Sequence, residues 1–474
     1  MTSENAAALT SHPWFFCGIG GSGMLPLATI LKARGAEVAG SDRSYDQGRT
    51  PTKFDWLKAQ GFRLFPQDGS GITSPGQTLV ASAAVEDTVP EMVRARELGC
   101  ERMSRAELLS TLFNTAPYRI AVGGTSGKST VTGMLGWILY RCGEDPTIMN
   151  GAVMKNFVSP DTPFASARVG ESGLFVSEVD ESDGSIALYK PSVSLLLNVS
   201  LDHKSIEQLR VLFGNFARTG DKAAVNWDND EARYIGEKLP KKLSFGIAHP
   251  KADIGIEPGT IEDEPMGISA LMVDRRSDTG YPLRLRMPGR HNLSNALAAI
   301  AAAVQAGIDP GEATNALASF TGLARRFDIV GTSSNAITVI DDFGHNPEKC
   351  VATLRTLKQH PGRVIAFFQP HGYGPLRQMG HELAKVFARL LGPEDRTILC
   401  DPVYFGGTVD RSEGSARIVR LIEEAGGKAE YIPEREACGS RIIDIAEPGD
   451  RIVIMGARDD TLTLFAKRIL EQLG

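Results

Sequence analysis

Cysteine is scarce in this chain and scattered along it. The six residues, Cys17, Cys100, Cys142, Cys350, Cys400 and Cys438, form no CxxC pair and have no metal-ligand spacing. That argues against a disulfide frame or a zinc site and fits a reducing cytoplasm, where isolated cysteines serve as small core residues. Long apolar runs are missing too. The richest stretch, around Ala296–Ala306, falls well short of the ~20 residues that a membrane span needs. No basic stretch followed by an apolar run opens the sequence, so no secretory leader is expected. No long cluster of Lys and Arg appears and the net charge is −6, which argues against a nucleic-acid surface. No short-period repeat or low-complexity tract is present. What remains is a globular composition, 42% hydrophobic and 23% charged over 474 residues, enough for about three domains with a core each.

Each third of the chain opens with an α/β pattern. The first runs from Trp14-Phe15-Phe16 through a glycine turn into a helical pattern at Met24–Lys32, with strand candidates at Ala36–Ala39 and Thr78–Val80. The second begins near Tyr118 and carries the short apolar strands Leu174–Val176 and Val193–Leu197, the type buried in parallel sheets. Its segment Asp253–Arg286 is richer in Gly, Pro and charge and predicts β-hairpins, and the Ala-rich run Asn295–Ala306 predicts a packed helix. The third starts near Arg325. Its strand candidates Ile337–Ile340, Arg363–Phe368, Thr397–Leu399 and Arg451–Met455 alternate with helical patterns, as in a doubly wound parallel sheet.

The densest chemical signal is Ile120-Ala121-Val122-Gly123-Gly124-Thr125-Ser126-Gly127-Lys128-Ser129-Thr130. An apolar strand leads into a glycine turn with Lys-Ser, and the apolar helical positions Val131, Met134, Leu135, Ile138 and Leu139 follow. Such a turn curls backbone N–H groups around phosphate oxygens at a helix start, with the Lys on the β/γ-phosphates and the hydroxyl on Mg²⁺. Val122 stands where the G-x4-G-K-[ST] pattern has its first Gly, so an ordinary tight turn fits the same letters. Gly18, Gly20 and Gly23 spell G-x-G-x-x-G after a strand, with Asp42 about 20 residues on. This is the dinucleotide fingerprint; it fits NAD, a UDP-sugar or an unliganded turn.

Carboxylates gather in Ser177-Glu178-Val179-Asp180-Glu181-Ser182-Asp183-Gly184-Ser185, after a buried strand. A solvated acidic turn is one explanation. The other follows from position, because strand carboxyl ends in α/β sheets are where ligands bind, and Mg²⁺ takes carboxylate and phosphate oxygens. The next apolar strand ends in Asn198-Val199-Ser200-Leu201-Asp202-His203.

These segments, followed by Pro288-Gly289-Arg290-His291-Asn292-Leu293-Ser294-Asn295-Ala296, Arg325-Arg326-Phe327 and Asp341-Asp342-Phe343-Gly344-His345-Asn346-Pro347, resemble in content and order the Mur ligase family of ATP-dependent amide-forming enzymes of peptidoglycan synthesis. The likeness covers nearly the whole chain and is nearest to the family's alanine-adding branch, which acts on UDP-N-acetylmuramate. It implies a three-domain α/β fold: a Rossmann-like UDP-sugar domain (1–117), a P-loop ATPase central domain (118–322) and a Rossmann-like C-terminal domain for the amino acid or amine (323–474).

The resemblance assigns Gly124, Thr125, Ser126, Gly127, Lys128, Ser129 and Thr130 to ATP, with Ser129, Glu178 and His203 on Mg²⁺. Asn292 and Asn295 fall on the adenine side, Arg326 on the phosphates and Asp342 on the ribose. His345 faces the incoming amine. Gly18, Gly20, Gly21, Ser22, Gly23, Asp42 and Ser82 fall to the UDP-sugar acid, which explains the fingerprint without NAD. Lys128, Glu178, His203, Arg326 and His345 are thus the expected catalytic set. The implied partners are a UDP-sugar acid and an amino acid or peptide; neither nucleic acid nor membrane is expected. Closure of the third domain over the second would shut water out of the reaction.

One segment departs from the family's pattern. Gln369-Pro370-His371-Gly372-Tyr373-Gly374-Pro375-Leu376-Arg377 resembles the branch's Q-P-H-R-Y-S-R-T-R, but Gly372 and Pro375 replace two arginines and only Arg377 is left. A guanidinium fork suits a carboxylate, so this loss predicts an acceptor other than free L-alanine. The stretch His203–Phe213 is shorter than in that branch, and Arg458 stands in a turn that is otherwise G-A-G-like. The rival readings are a relative acting on a non-peptidoglycan acid, a non-catalytic nucleotide binder and an NAD oxidoreductase.

Overall fold

The computed structural model describes residues 9–83, 85–200, 205–403, 410–457 and 459–474. Aromatic strand Trp14–Cys17, buried at all four positions, is the centre of a five-stranded sheet. The order is Arg63–Phe65, Val38–Ser41, Trp14–Cys17, Thr78–Ala81, Glu101–Ser104, and every pairing is parallel. This is a Rossmann-type order, whose crevice opens at the carboxyl ends where the strand order reverses. The second strand lies two residues beyond the expected Ala36–Ala39, because the ladder begins where Trp14 pairs with Val38.

A larger sheet follows. Strand Tyr118–Gly123 sits between Val193–Leu196 and Leu174–Glu178, parallel to both. Lys222–Asn226 and Lys242–Gly246 extend it in parallel on one side, and Thr147–Met149 on the other. The predicted hairpin is present as the antiparallel pair Gly267–Asp274 and Thr279–Leu285. Helix Lys128–Arg141 buries Val131, Met134, Leu135, Ile138 and Leu139 completely. Each such side chain stabilises the fold by ~1.5–3 kcal/mol relative to exposure, so the turn preceding this helix rests on a packed element.

The third sheet is six-stranded. Asp328–Thr332 runs antiparallel to Thr338–Asp342, and Arg451–Gly456, Val364–Gln369, Arg396–Leu399 and Ala429–Tyr431 follow in parallel. The first two sheets lie in one compact unit and the third in another, made chiefly of Leu323–Gly474. All six cysteines are free thiols. Among the described residues no helix is long and apolar enough to cross a membrane.

Candidate active site

Sheet order brings one set of predicted residues together. Because Tyr118–Gly123 lies between the strands ending at Leu196 and Glu178, the glycine turn, the acidic run and Asn198 share one carboxyl edge. Gly127 caps the helix at φ +85, a left-handed conformation that favours glycine. A Cβ there would also come 2.7 Å from the Asn295 Oδ1. Asn198, from the neighbouring strand end, clamps the turn: the Ser126 N–H donates to its Oδ1 at 2.9 Å and its Nδ2 donates to the Ser126 carbonyl at 3.1 Å. The Thr125 N–H donates to the Asn198 carbonyl at 3.2 Å. Thr130 is buried on the first helical turn.

Two consecutive side chains of the turn each meet an acid. The Lys128 Nζ donates to the Glu181 Oε2 at 2.6 Å and to the Gly124 carbonyl at 2.7 Å. The Ser129 Oγ donates to the Glu178 Oε2 at 2.7 Å. Glu178 belongs to the strand itself, which runs two residues past the expected Val176 because Val122 pairs with Glu178 across the ladder. Opposite it, a Cβ on Gly151 would fall 2.2 Å from the Glu178 Oε1, so only glycine leaves this carboxylate its place. Burial raises the pKa of Asp180, but hydrogen bonds from Ser182 and the charges of Lys128 and Arg105 outweigh it and hold this carboxyl below the usual range. Asn292 and Asn295 lie in the first turns of helix Arg290–Gln305, with Asn292 buried and the Asn295 Nδ2 3.4 Å from the Asn292 Oδ1.

The set Ser129 and Glu178 is made of hard oxygen donors, the kind Mg²⁺ accepts. Among the described residues no group of three or more His, Cys, Asp or Glu side chains is placed so that it could by itself hold a metal ion. His203 lies outside the described residues, as does Arg458.

At the first sheet's carboxyl edge, Gly18, Gly20, Gly21, Ser22 and Gly23 link strand Trp14–Cys17 to helix Met24–Ala33. Asp42 follows the adjacent strand and accepts from the Gly20 N–H at 2.9 Å and the Ser44 N–H at 2.8 Å. It both fastens the glycine turn and caps the short helix Arg43–Asp46. Ser82 directly follows strand Thr78–Ala81 on the other side of the turn. The seven residues therefore lie along the same carboxyl edge of the first sheet.

In the second unit, Asp342 ends strand Thr338–Asp342 and is buried. Its carboxylate accepts from the Phe327 N–H at 2.8 Å, the Gly344 N–H at 2.8 Å and the Thr353 hydroxyl at 2.9 Å. The Arg326 guanidinium lies 4.7 Å from the Phe343 ring centre. His345 stacks edge-on to His371 at 4.9 Å. Burial, with Lys349, His371 and Arg326 nearby, lowers its pKa to about 3, so the imidazole is neutral at pH 7. Arg377, on helix Tyr373–Leu390, bonds to the Asp410 carbonyl at 2.9 Å.

Sequence reasoning overlooked Glu181 as the partner of Lys128, and missed the Asn198 clamp, Gly151 and the anchor Arg325. Arg325 is almost buried, donates to the Gly456 carbonyl at 2.7 Å and approaches Asp341 at 3.5 Å. The doubled arginine before Phe327 was the available signal for it.

Comparison with known proteins bears on the whole chain. Three family models match in order: the Mur ligase family catalytic domain over 15–116, the Mur ligase middle domain over 122–303 and the Mur ligase glutamate ligase domain over 325–458. The UDP-N-acetylmuramate–L-alanine ligase of Synechococcus sp. is 32% identical over 471 residues, spanning 97% of this chain and 88% of the relative. Among solved structures, the UDP-N-acetylmuramate–alanine ligase of Thermotoga maritima aligns with a TM-score of 0.79 at 23% identity, covering 97% of this chain and 99% of that one. The murein peptide ligase of Psychrobacter arcticus aligns with a TM-score of 0.71 at 24% identity, covering 98% and 99%. With all three segments present in order, and residues shared with a relative from end to end, this three-domain α/β chain belongs to the Mur ligase family.

Proposed function

We propose that this chain is a cytoplasmic, ATP- and Mg²⁺-dependent ligase that joins the carboxylate of a UDP-N-acetylmuramate-type sugar acid to the amine of an amino acid or peptide. Residues 1–117 hold the sugar nucleotide, 118–322 hold ATP and 323–474 receive the amine. The observation carrying this reading is the pairing of Lys128 with Glu181 and Ser129 with Glu178 at one strand edge, because it puts a cation for phosphate beside oxygen donors for a metal.

A carboxylate is a poor electrophile. Attack of its oxygen on the γ-phosphorus of ATP releases ADP and gives an acyl phosphate; the amine then attacks the acyl carbon and inorganic phosphate leaves. Lys128 neutralises charge on the transferring phosphoryl group, and the backbone of Gly124–Gly127 orients the phosphates. Ser129 and Glu178, with His203, would hold Mg²⁺, which supplies further charge neutralisation there. Asp42 and the first glycine turn position the sugar nucleotide, so that acid and phosphate meet as an intramolecular pair. Arg326, Asp342, His345 and the asparagines Asn292 and Asn295 complete the nucleotide and amine contacts that the family resemblance implies.

The test is ADP release from purified protein given ATP, Mg²⁺ and UDP-N-acetylmuramate, screened over amino acids and short peptides. Release that needs both the sugar acid and an amine is expected. No release with any amine would overturn the reading.

A second reading concerns the amine. Gly372 and Pro375 stand where arginines would grip an amino-acid carboxylate, and Arg377 is engaged with Asp410. An acceptor bearing its carboxylate farther from the amine, a peptide, follows. Faster turnover with an alanyl peptide than with free L-alanine is expected, and efficient use of L-alanine itself would refute it.

A further inference from the structure

The two acid pairs of the phosphate turn are not equivalent. A divalent cation arriving at Glu178 meets a carboxylate and a hydroxyl 2.7 Å apart, and both are ligands for it. A polyphosphate arriving at Lys128 meets an ammonium already held by Glu181 at 2.6 Å, with side-chain exposures of only 19% and 8%. The incoming charge has the same sign as Glu181, and in a partly buried site that repulsion is screened far less than in water. The Glu181 carboxylate thus competes with phosphate for Lys128, while Glu178 attracts the metal.

Pairing with a divalent cation changes this balance. It removes two negative charges from the nucleotide, which weakens its repulsion from Glu181, and it adds the Glu178 interaction. Nucleotide without metal has the repulsion and gains nothing from Glu178. We propose that Glu181 is a specificity-determining residue that makes this site accept a nucleoside triphosphate as its metal complex and reject the metal-free form. The proposal rests on the assignment of ATP to this turn and adds the form in which ATP is taken.

The experiment is calorimetric titration of the full chain with ATP, once with Mg²⁺ and once with EDTA, for the wild type and Glu181→Gln. The amide keeps the shape of the side chain and removes its charge. Metal-free ATP is expected to bind about tenfold tighter to the variant, the size expected for one charge-assisted hydrogen bond. Binding with Mg²⁺ should change much less, so the ratio between the two conditions shrinks. Glu181→Ala should shift the ratio in the same direction, and it decides the matter if the Gln variant does not fold. A ratio that stays put, or an equal weakening under both conditions, overturns the proposal. Failure of the wild type to bind ATP under either condition would instead defeat the assignment of nucleotide to the turn, a separately readable outcome.

Discussion

Gly18–Gly23 and Gly124–Gly127 both leave the carboxyl end of a buried parallel strand and enter a helix, Met24–Ala33 in one case and Lys128–Arg141 in the other. Their backbones do similar work, and the difference lies in the first two helical residues. Met24 and Leu25 are apolar and buried, so the first two helical residues offer a ligand their peptide groups and no polar side chain. Lys128 and Ser129 occupy the same places in the second turn and reach two carboxylates. On the proposed reading both glycine turns position phosphate, and the residues just inside the helix decide whether anything is done to it.

The contrast can be broken at its strongest point by Lys128→Ala. A fall in ADP release of about 10²–10³-fold is expected, the scale of removing one preorganised charge-stabilising donor, with the circular dichroism spectrum unchanged. Turnover at the wild-type level would mean that the second turn is as passive as the first. A smaller effect is expected from Gly151→Ala, whose new methyl would collide with the Glu178 Oε1 at 2.2 Å. Displacing that carboxylate should raise the Mg²⁺ concentration for half-maximal activity by ~10–100-fold, as for metal sites losing an oriented ligand; an unshifted Mg²⁺ titration would remove Glu178 from the metal set. The smallest change should come from Asp42→Ala, which loses the Gly20 contact and the helix cap. The KM for the UDP-sugar should rise about tenfold, equivalent to one hydrogen-bond-sized loss, while the KM for ATP stays constant. A matching rise for ATP would show that the two turns do not act separately.

Much of the architecture was readable because glycine turns and apolar strands are local signals. Gly127 needs its left-handed φ, and Val131, Met134, Leu135, Ile138 and Leu139 mark the buried helix face regardless of context. The acidic run was readable only as a group: sequence alone does not say that Glu181, rather than Asp180 or Asp183, reaches Lys128. That choice depends on how the strand Leu174–Glu178 is registered against Tyr118–Gly123, a long-range property. Asn198 and Gly151 escaped for the same reason, since each acts on a turn distant in sequence but adjacent in the sheet. Asp42 was legible as an acceptor, yet its bond to the Gly20 N–H depends on the turn folding back over the neighbouring strand.

Arg325 at φ +61 and Phe327 at φ +49 bracket Arg326 with two bulky residues in a conformation that disfavours side chains by about 1 kcal/mol apiece. The bend persists because Arg325 ties to Gly456 and Phe343, and Phe327 to Asp342. A kink made from large residues behaves like a sprung bracket: it points Arg326 in one direction as long as its bolts stay in place. Glycine at position 325 would ease the angle but remove the guanidinium bond to the Gly456 carbonyl, so the residue that best fits the torsion is the one that gives up an anchor.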